Sequence, residues 1–229
     1  YGSIDEVSIW NKALTTTDIS DLYNGGQGRG IPSCGAGQYK SGSSCTNVGQ
    51  GYYSPANDNS RYQCAAGYFG SSTTNTVSTC NGQCTAGYYC TAGSPSATQN
   101  ACGANNYCPA GSSGATACPA NSGSGGRTTQ SAATDCNCNG GYYDADAGAQ
   151  DCSVVGAGYY SPSDDDSRGQ CAAGYYGSST TNSVNTCNGQ CTAGYYCAAG
   201  STSATQNACG LGNYCPTGSG SATACPAGT

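Results

Sequence analysis

Nineteen cysteines in 229 residues, most of them set twice at the same spacing, constrain this chain more than any other feature. Residues 156–227 repeat residues 49–120 at an offset of 107 without a gap, with 57 of 72 positions identical. Cys45, Cys64, Cys80, Cys84, Cys90, Cys102, Cys108 and Cys118 thereby fall on Cys152, Cys171, Cys187, Cys191, Cys197, Cys209, Cys215 and Cys225. Cys34, Cys136 and Cys138 complete the set. Large aliphatic side chains are few, Met and His are absent, and glycine alone numbers 37. Small residues bury little area against the backbone entropy lost on folding. Disulfides must replace the missing core, each restricting the unfolded chain by about 2–4 kcal/mol. Nineteen is odd, so one cysteine lacks a partner in this chain. Cys225 is the expected one, because its sister Cys118 is followed by Cys136 and Cys138 and nothing follows Cys225 here. Cys136 and Cys138 are too close to bond each other in ordinary geometry and are expected to send bonds in opposite directions.

This framework implies an oxidising compartment and an extracellular, secreted or cell-surface protein. Structural zinc sites cluster cysteines at closer spacing, often with His, whereas the commonest spacing here is Cys-x5-Cys. With a net charge of −6 and six basic residues, the chain has no footprint for a nucleic-acid backbone. No apolar run approaches the roughly 20 residues that span a bilayer, and no leader opens the sequence, so the chain reads as mature or internal. No histidine base exists, Glu6 is the single glutamate, and the aspartates sit in Gly/Ser-rich loops; neither catalysis nor a cofactor is expected. Asp164, Asp165 and Asp166 have the oxygens for calcium, yet their sisters are Asn57, Asp58 and Asn59, which favours a solvated turn. Asp144 and Asp146 read the same way.

Three regions are expected: 1–31, 32–137 and 138–229. In the first, residues 3–10 read as a strand, and Thr15 with Asp18 forms a capping-box-like start to a short helix carrying Ile19, Leu22 and Tyr23. Gly25 and Gly26 stop that helix. The stretch GSIDEVSIWNKALTTTDISDLYNGG at 2–26 resembles the closing strand and helix of laminin-G or concanavalin-like jelly-roll domains. That resemblance implies a sandwich lying mostly upstream of Tyr1. Residues 121–136 read as a small-residue linker held at Cys118 and Cys136.

In the other two regions a shorter beat recurs, as GYYSP at 51–55, AGYFG at 66–70 and AGYYC at 86–90. Each joins an aromatic to a glycine bend and predicts a short strand or turn. The expected fold is a series of small disulfide-rich tandem repeats, an elongated, loop-rich solenoid with little regular secondary structure. The segments CTAGYYCTAGSPSATQNACGANNYCPAGSSGATACPA (84–120) and CTAGYYCAAGSTSATQNACGLGNYCPTGSGSATACPA (191–227) resemble ephrin-receptor-like cysteine-rich repeats. Such repeats are similar to those of algal and protist surface proteins and mastigoneme components, which implies a spacer or assembly role. The tyrosine pairs Tyr52–Tyr53, Tyr88–Tyr89, Tyr159–Tyr160 and Tyr195–Tyr196 are the candidate surface for self-association into a homo-oligomer or filament. The alternative is a stalk holding out a glycan-binding jelly-roll. Ser/Thr clusters at 71–74, 94–98, 178–181 and 201–205 are candidate O-linked glycan sites, ahead of the weak Asn-x-Cys acceptors Asn100, Asn185 and Asn207.

Overall fold

The computed structural model describes residues 13–16, 18–19, 33–42, 44–146 and 150–228. The strand expected at 3–10, the helix beyond Ile19 and the boundary near Pro32 lie outside the described residues. At the helix start, Thr15 N–H donates to Asp18 Oδ2 (2.9 Å) and Asp18 N–H donates back to Thr15 Oγ1 (3.2 Å). This is the reciprocal capping box, with Asp in the role usual for Glu.

From Cys34 onward the described residues build eleven two-stranded antiparallel hairpins and almost no helix. In the first copy and its lead-in these are β1 (Gln38–Ser41) with β2 (Ser44–Asn47), β3 (Tyr52–Tyr53) with β4 (Tyr62–Gln63), and β5 (Tyr68–Phe69) with β6 (Gly82–Gln83). Next come β7 (Tyr88–Tyr89) with β8 (Asn100–Ala101), β9 (Asn106–Tyr107) with β10 (Thr116–Ala117), and β11 (Ser122–Gly123) with β12 (Asn137–Cys138). The second copy and its lead-in add β13 (Tyr142–Asp144) with β14 (Cys152–Val154), β15 (Tyr159–Tyr160) with β16 (Gly169–Gln170), and β17 (Tyr175–Tyr176) with β18 (Gly189–Gln190). Then β19 (Tyr195–Tyr196) pairs β20 (Asn207–Ala208), and β21 (Asn213–Tyr214) pairs β22 (Thr223–Ala224).

The recurring AGY beat is a β-turn feeding a strand. Tyr68 N–H donates to Ala65 O (3.1 Å), and Gly67, third in that turn, has φ +85°. A positive φ at that position is the type II requirement, which glycine meets without strain. The same turn stands before Tyr88, Tyr175 and Tyr195. The pairing extends one step beyond the two-residue strands, where Cys84 N–H donates to Gly67 O (3.0 Å).

Successive hairpins are tied together through the backbone. Gly51 N–H donates to Gly70 O (2.7 Å), and Gly70 N–H to Ser94 O (2.9 Å). Gly67 N–H donates likewise to Cys90 O (2.8 Å), and Cys90 N–H to Ser112 O (3.0 Å). In the second copy Gly158, Gly177 and Ser201, then Gly174, Cys197 and Ser219, repeat these bonds at the same offset. Each hairpin therefore leans on the next by main-chain contacts, as repeat proteins do.

Among the described residues the buried apolar side chains are all cysteines but for Val48 and Val155. The bonds are Cys34–Cys45, Cys64–Cys80, Cys84–Cys90, Cys102–Cys108, Cys118–Cys136, Cys138–Cys152, Cys171–Cys187, Cys191–Cys197 and Cys209–Cys215. All four Cys-x5-Cys spans close on themselves, each clasping one turn and its strand. Cys136 and Cys138 send their bonds to opposite sides, and Cys225 is the free, exposed thiol. Val48 and Val155, both 0% exposed, directly follow β2 and β14, where Cys64, Cys84, Cys102 and Cys118 follow their strands; Val48 N–H donates to Gly37 O as Cys64 N–H does to Gly51 O.

The small-residue linker at 121–136 is structured. It contributes β11, a single 3-10 turn at Ala133–Asp135, and the buried Ser124 and Gln130. Gln130 O accepts from Cys108 N–H (2.9 Å), the role that Asn75 O plays for Ser54 N–H. No helix among the described residues is long and apolar enough to cross a membrane.

Candidate assembly surface

Tyr52–Tyr53, Tyr88–Tyr89, Tyr159–Tyr160 and Tyr195–Tyr196 form β3, β7, β15 and β19, the first strands of their hairpins, and all eight side chains are half-buried. Successive residues of a strand point to opposite faces, so each pair divides between two sides of its hairpin.

One member of two pairs is engaged within the chain. The Arg61 guanidinium lies over both Tyr39 (4.7 Å to the ring centroid) and Tyr52 (4.5 Å), and Arg168 lies over Tyr143 (4.3 Å) and Tyr159 (4.5 Å). Each guanidinium also donates to a main-chain carbonyl of the buried valine, Arg61 Nη1 to Val48 O (3.4 Å) and Arg168 Nη1 to Val155 O (2.9 Å). A planar cation between two electron-rich ring faces joins one hairpin to the next. The sequence reading missed these arginines. Their signal was their place: each lies nine residues after the first tyrosine of GYYSP in both copies.

Beside that clamp the copies differ. Tyr53 meets Tyr62 across β3–β4, ring centroids 5.5 Å apart. The sister of Tyr62 is Gly169, and the Tyr160 ring occupies the space a side chain there would take, 2.9 Å from an ideal Cβ. For the later pairs, Asn100 Nδ2 donates to Tyr89 O and Asn207 Nδ2 to Tyr196 O, each at 3.3 Å.

The acidic loops serve as hydrogen-bond acceptors. Cys34 N–H donates to Asn59 Oδ1 (3.0 Å), and its counterpart Cys138 N–H donates to Asp166 Oδ1 (2.7 Å). The position needs an oxygen rather than a charge, which is why amide and carboxylate interchange there. Asp58 Oδ1 receives Ser60 N–H, while Asp165 Oδ1 receives both the N–H and the hydroxyl of Ser167. The Ser167 hydroxyl, then its N–H, hold the Asp165 carboxyl below its ordinary range. Asp144 Oδ1 receives Asp146 N–H. Among the described residues no group of three or more His, Cys, Asp or Glu is placed to hold a metal.

A polar cleft in the 121–136 segment is lined by Arg127, Thr129, Gln130 and Asp135. Arg127 donates to Ser124 O (3.0 Å) and Asp135 O (2.6 Å), which occupies its fork, while Asp135 Oδ2 gathers Ser131 N–H, Ser131 Oγ–H and Ala132 N–H. The Ser131 hydroxyl, followed by its N–H, lowers the Asp135 pKa below the usual carboxylate value. Gln130 Oε1 is buried without a partner among the described residues. Sequence reading passed over Gln130, although it stands where Asn75 and Asn182 stand, bridged to the second residue of a tyrosine-bearing strand.

The structure defines the class: a disulfide-rich array of short β-hairpins that repeats within the chain. No protein-family model matches the sequence, and no curated protein matches it either.

Proposed function

We propose that the chain is a non-catalytic structural subunit of an extracellular filament or cell-surface fibre, similar to mastigoneme-like proteins, in which residues 34–228 form an elongated solenoid. The observation that carries this reading is the recurrence, 107 residues on, of the same hairpin-to-hairpin bonds, as in Gly51 to Gly70 and Gly158 to Gly177. Contacts confined to hairpins near one another along the chain extend an array along one direction. Outer positions are kept as well: Val77 and its sister Val184 are 54% and 55% exposed, the same apolar side chain offered to solvent in both copies. A contact between that surface on one subunit and a different surface on the next does not close, and so propagates as a fibre. Tyr88, Tyr89, Tyr195 and Tyr196, the half-buried pairs with no arginine over either member, supply amphipathic contact points. The exposed Thr73 and Thr180 are sites for O-linked glycans on the same loops.

A second reading is a monomeric spacer or stalk for a surface adhesin or receptor carrying a jelly-roll. It is favoured by the Arg61 and Arg168 clamps, which spend four tyrosine faces inside the chain. Electron microscopy of the native material under non-reducing conditions decides between them. Regular fibres with an axial repeat support assembly; dispersed single rods at high concentration overturn it.

A further inference from the structure

The hairpin β3–β4, spanning residues 52–63, has no cysteine in its strands or its loop. The other hairpins between β1 and β12 each carry at least one: Cys45, Cys80, Cys90, Cys108, and Cys136 with Cys138, lie within them. In that one hairpin, and nowhere else among the described residues, two aromatic rings meet. Tyr53 and Tyr62 are directly opposed in the strand register, their centroids are 5.5 Å apart and their planes are tilted by 35°. Tyr62 is 44% exposed. The other close tyrosines, Tyr39 with Tyr52 and Tyr143 with Tyr159, are held apart by a guanidinium.

We propose that Tyr53 and Tyr62 form a site of oxidative cross-linking, a dityrosine bond that ties the hairpin disulfides leave open. The oxidant is hydrogen peroxide acting through a peroxidase in the compartment that keeps the cysteines bonded. Each phenol gives up one electron and one proton to become a phenoxyl radical. The two radicals join through the ring carbons ortho to their oxygens, and the hydrogens on those carbons move to the oxygens to restore both phenols. The net change is the loss of two hydrogens from the protein, and one peroxide is reduced to two waters. Exposure makes Tyr62 the accessible ring, and the register places Tyr53 as its nearest partner. Directly opposed side chains on antiparallel strands have Cβ atoms only about 4.5–5.5 Å apart, so coupling requires side-chain rotation rather than strand movement.

The second copy supplies the control, since Gly169 leaves Tyr160 without a ring opposite. The test treats the dilute chain with peroxidase and limiting peroxide, then reduces the disulfides and digests with trypsin. Cleavage after Arg61 separates Tyr53 from Tyr62, so a coupled product appears as two tryptic peptides joined with the loss of two hydrogens. The expected result is that joined product with dityrosine fluorescence, both lost in Tyr62→Phe. In Gly169→Tyr a second joined product containing Tyr160 is expected. Disulfide mapping of each variant confirms the native pairing. Unchanged fluorescence in Tyr62→Phe, coupling scattered over other tyrosines, or coupling found only between chains would overturn the proposal. None of these outcomes depends on whether the chain forms fibres.

Discussion

The Arg61 guanidinium sits 4.5 Å from the Tyr52 ring centroid while its Nη1 reaches the carbonyl of Val48. One side chain thus joins three consecutive elements: the end of β2, the first residue of β3 and the approach to β4. A cation–π contact at an exposed site is worth about 0.5–1 kcal/mol, and Arg61 makes two. Arg61→Ala is expected to destabilise β1–β4 by about 1–2 kcal/mol, and Arg61→Lys to recover only part of it because the ammonium lacks the planar fork. Amide hydrogen exchange is the measurement. Protection at Val48 and Cys64 should fall while the sister amides at Val155 and Cys171 keep theirs; a uniform loss over both copies would contradict this local clamp.

Asp135 gives the 118–136 segment a pH dependence. Its folded pKa is lowered, first by the Ser131 hydroxyl, below the ordinary value of 3.8. Unfolded chain therefore takes up the proton first as pH falls. The stabilisation is fully present above that ordinary value and is lost as pH drops through the lower folded one. Exchange at Ser131 and Ala132 should accelerate in that acid window. Asp135→Asn should flatten the dependence and loosen the turn at neutral pH, since a neutral amide oxygen holds the three donors less strongly than a carboxylate does. An acid response surviving in that variant would assign it elsewhere.

Thiol chemistry separates the two copies. Cys118 is bonded to Cys136, whereas its sister Cys225 is a free, exposed thiol. An alkylating reagent applied to the native, unreduced chain should add one label, at Cys225, and full reduction should open all nine bridges to it. Cys136→Ser should add a second native label, at Cys118, and release the bond from Cys108 to Gln130. A native label at any of the buried cysteines would contradict the pairing.

The cysteine framework was legible, as were the opposed bonds of Cys136 and Cys138, but the partners were not, because spacing leaves many connectivities open. Two cysteines six positions apart, flanking a turn and a two-residue strand, reach each other in four places. The oddness of nineteen follows from counting, and comparison with the sister Cys118 singled out Cys225. The hairpins were legible as short turns and strands at GYY, but not their bonding order: Gly51 N–H finds Gly70 O, nineteen residues on, through a stacking that no local pattern encodes. The 121–136 segment looked like a linker because Gly, Ser and Thr mark loops as readily as they mark tight backbone packing. Only Gln130, filling the place of Asn75 and Asn182, betrays its role. Of the candidate surface, the tyrosine positions were readable, but the arginines that cover Tyr52 and Tyr159 were not, because a lone Arg in a polar loop has a dozen solvated alternatives.

A close main-chain approach between β7 and the loop of β11–β12 gives the last prediction. Gly87 has φ +86°, and a Cβ there would lie 2.5 Å from Thr129 O, in the segment that docks against it; its sister Gly194 has φ +89° and a Cβ there would meet nothing within 4 Å. Gly87→Ala and Gly194→Ala therefore share the backbone strain of a positive φ, about 1–2 kcal/mol. Only the first adds a collision with main chain, for which overpacking costs about 1–3 kcal/mol more. Gly87→Ala should loosen the 121–136 segment, seen as faster exchange at Cys108 and Gly103, whose N–H groups donate to Gln130 O and Thr128 O. Gly194→Ala should leave those amides unchanged and lose less stability overall. Equal losses in the two variants would mean that φ alone sets the cost and that Thr129 does not press on the glycine in solution.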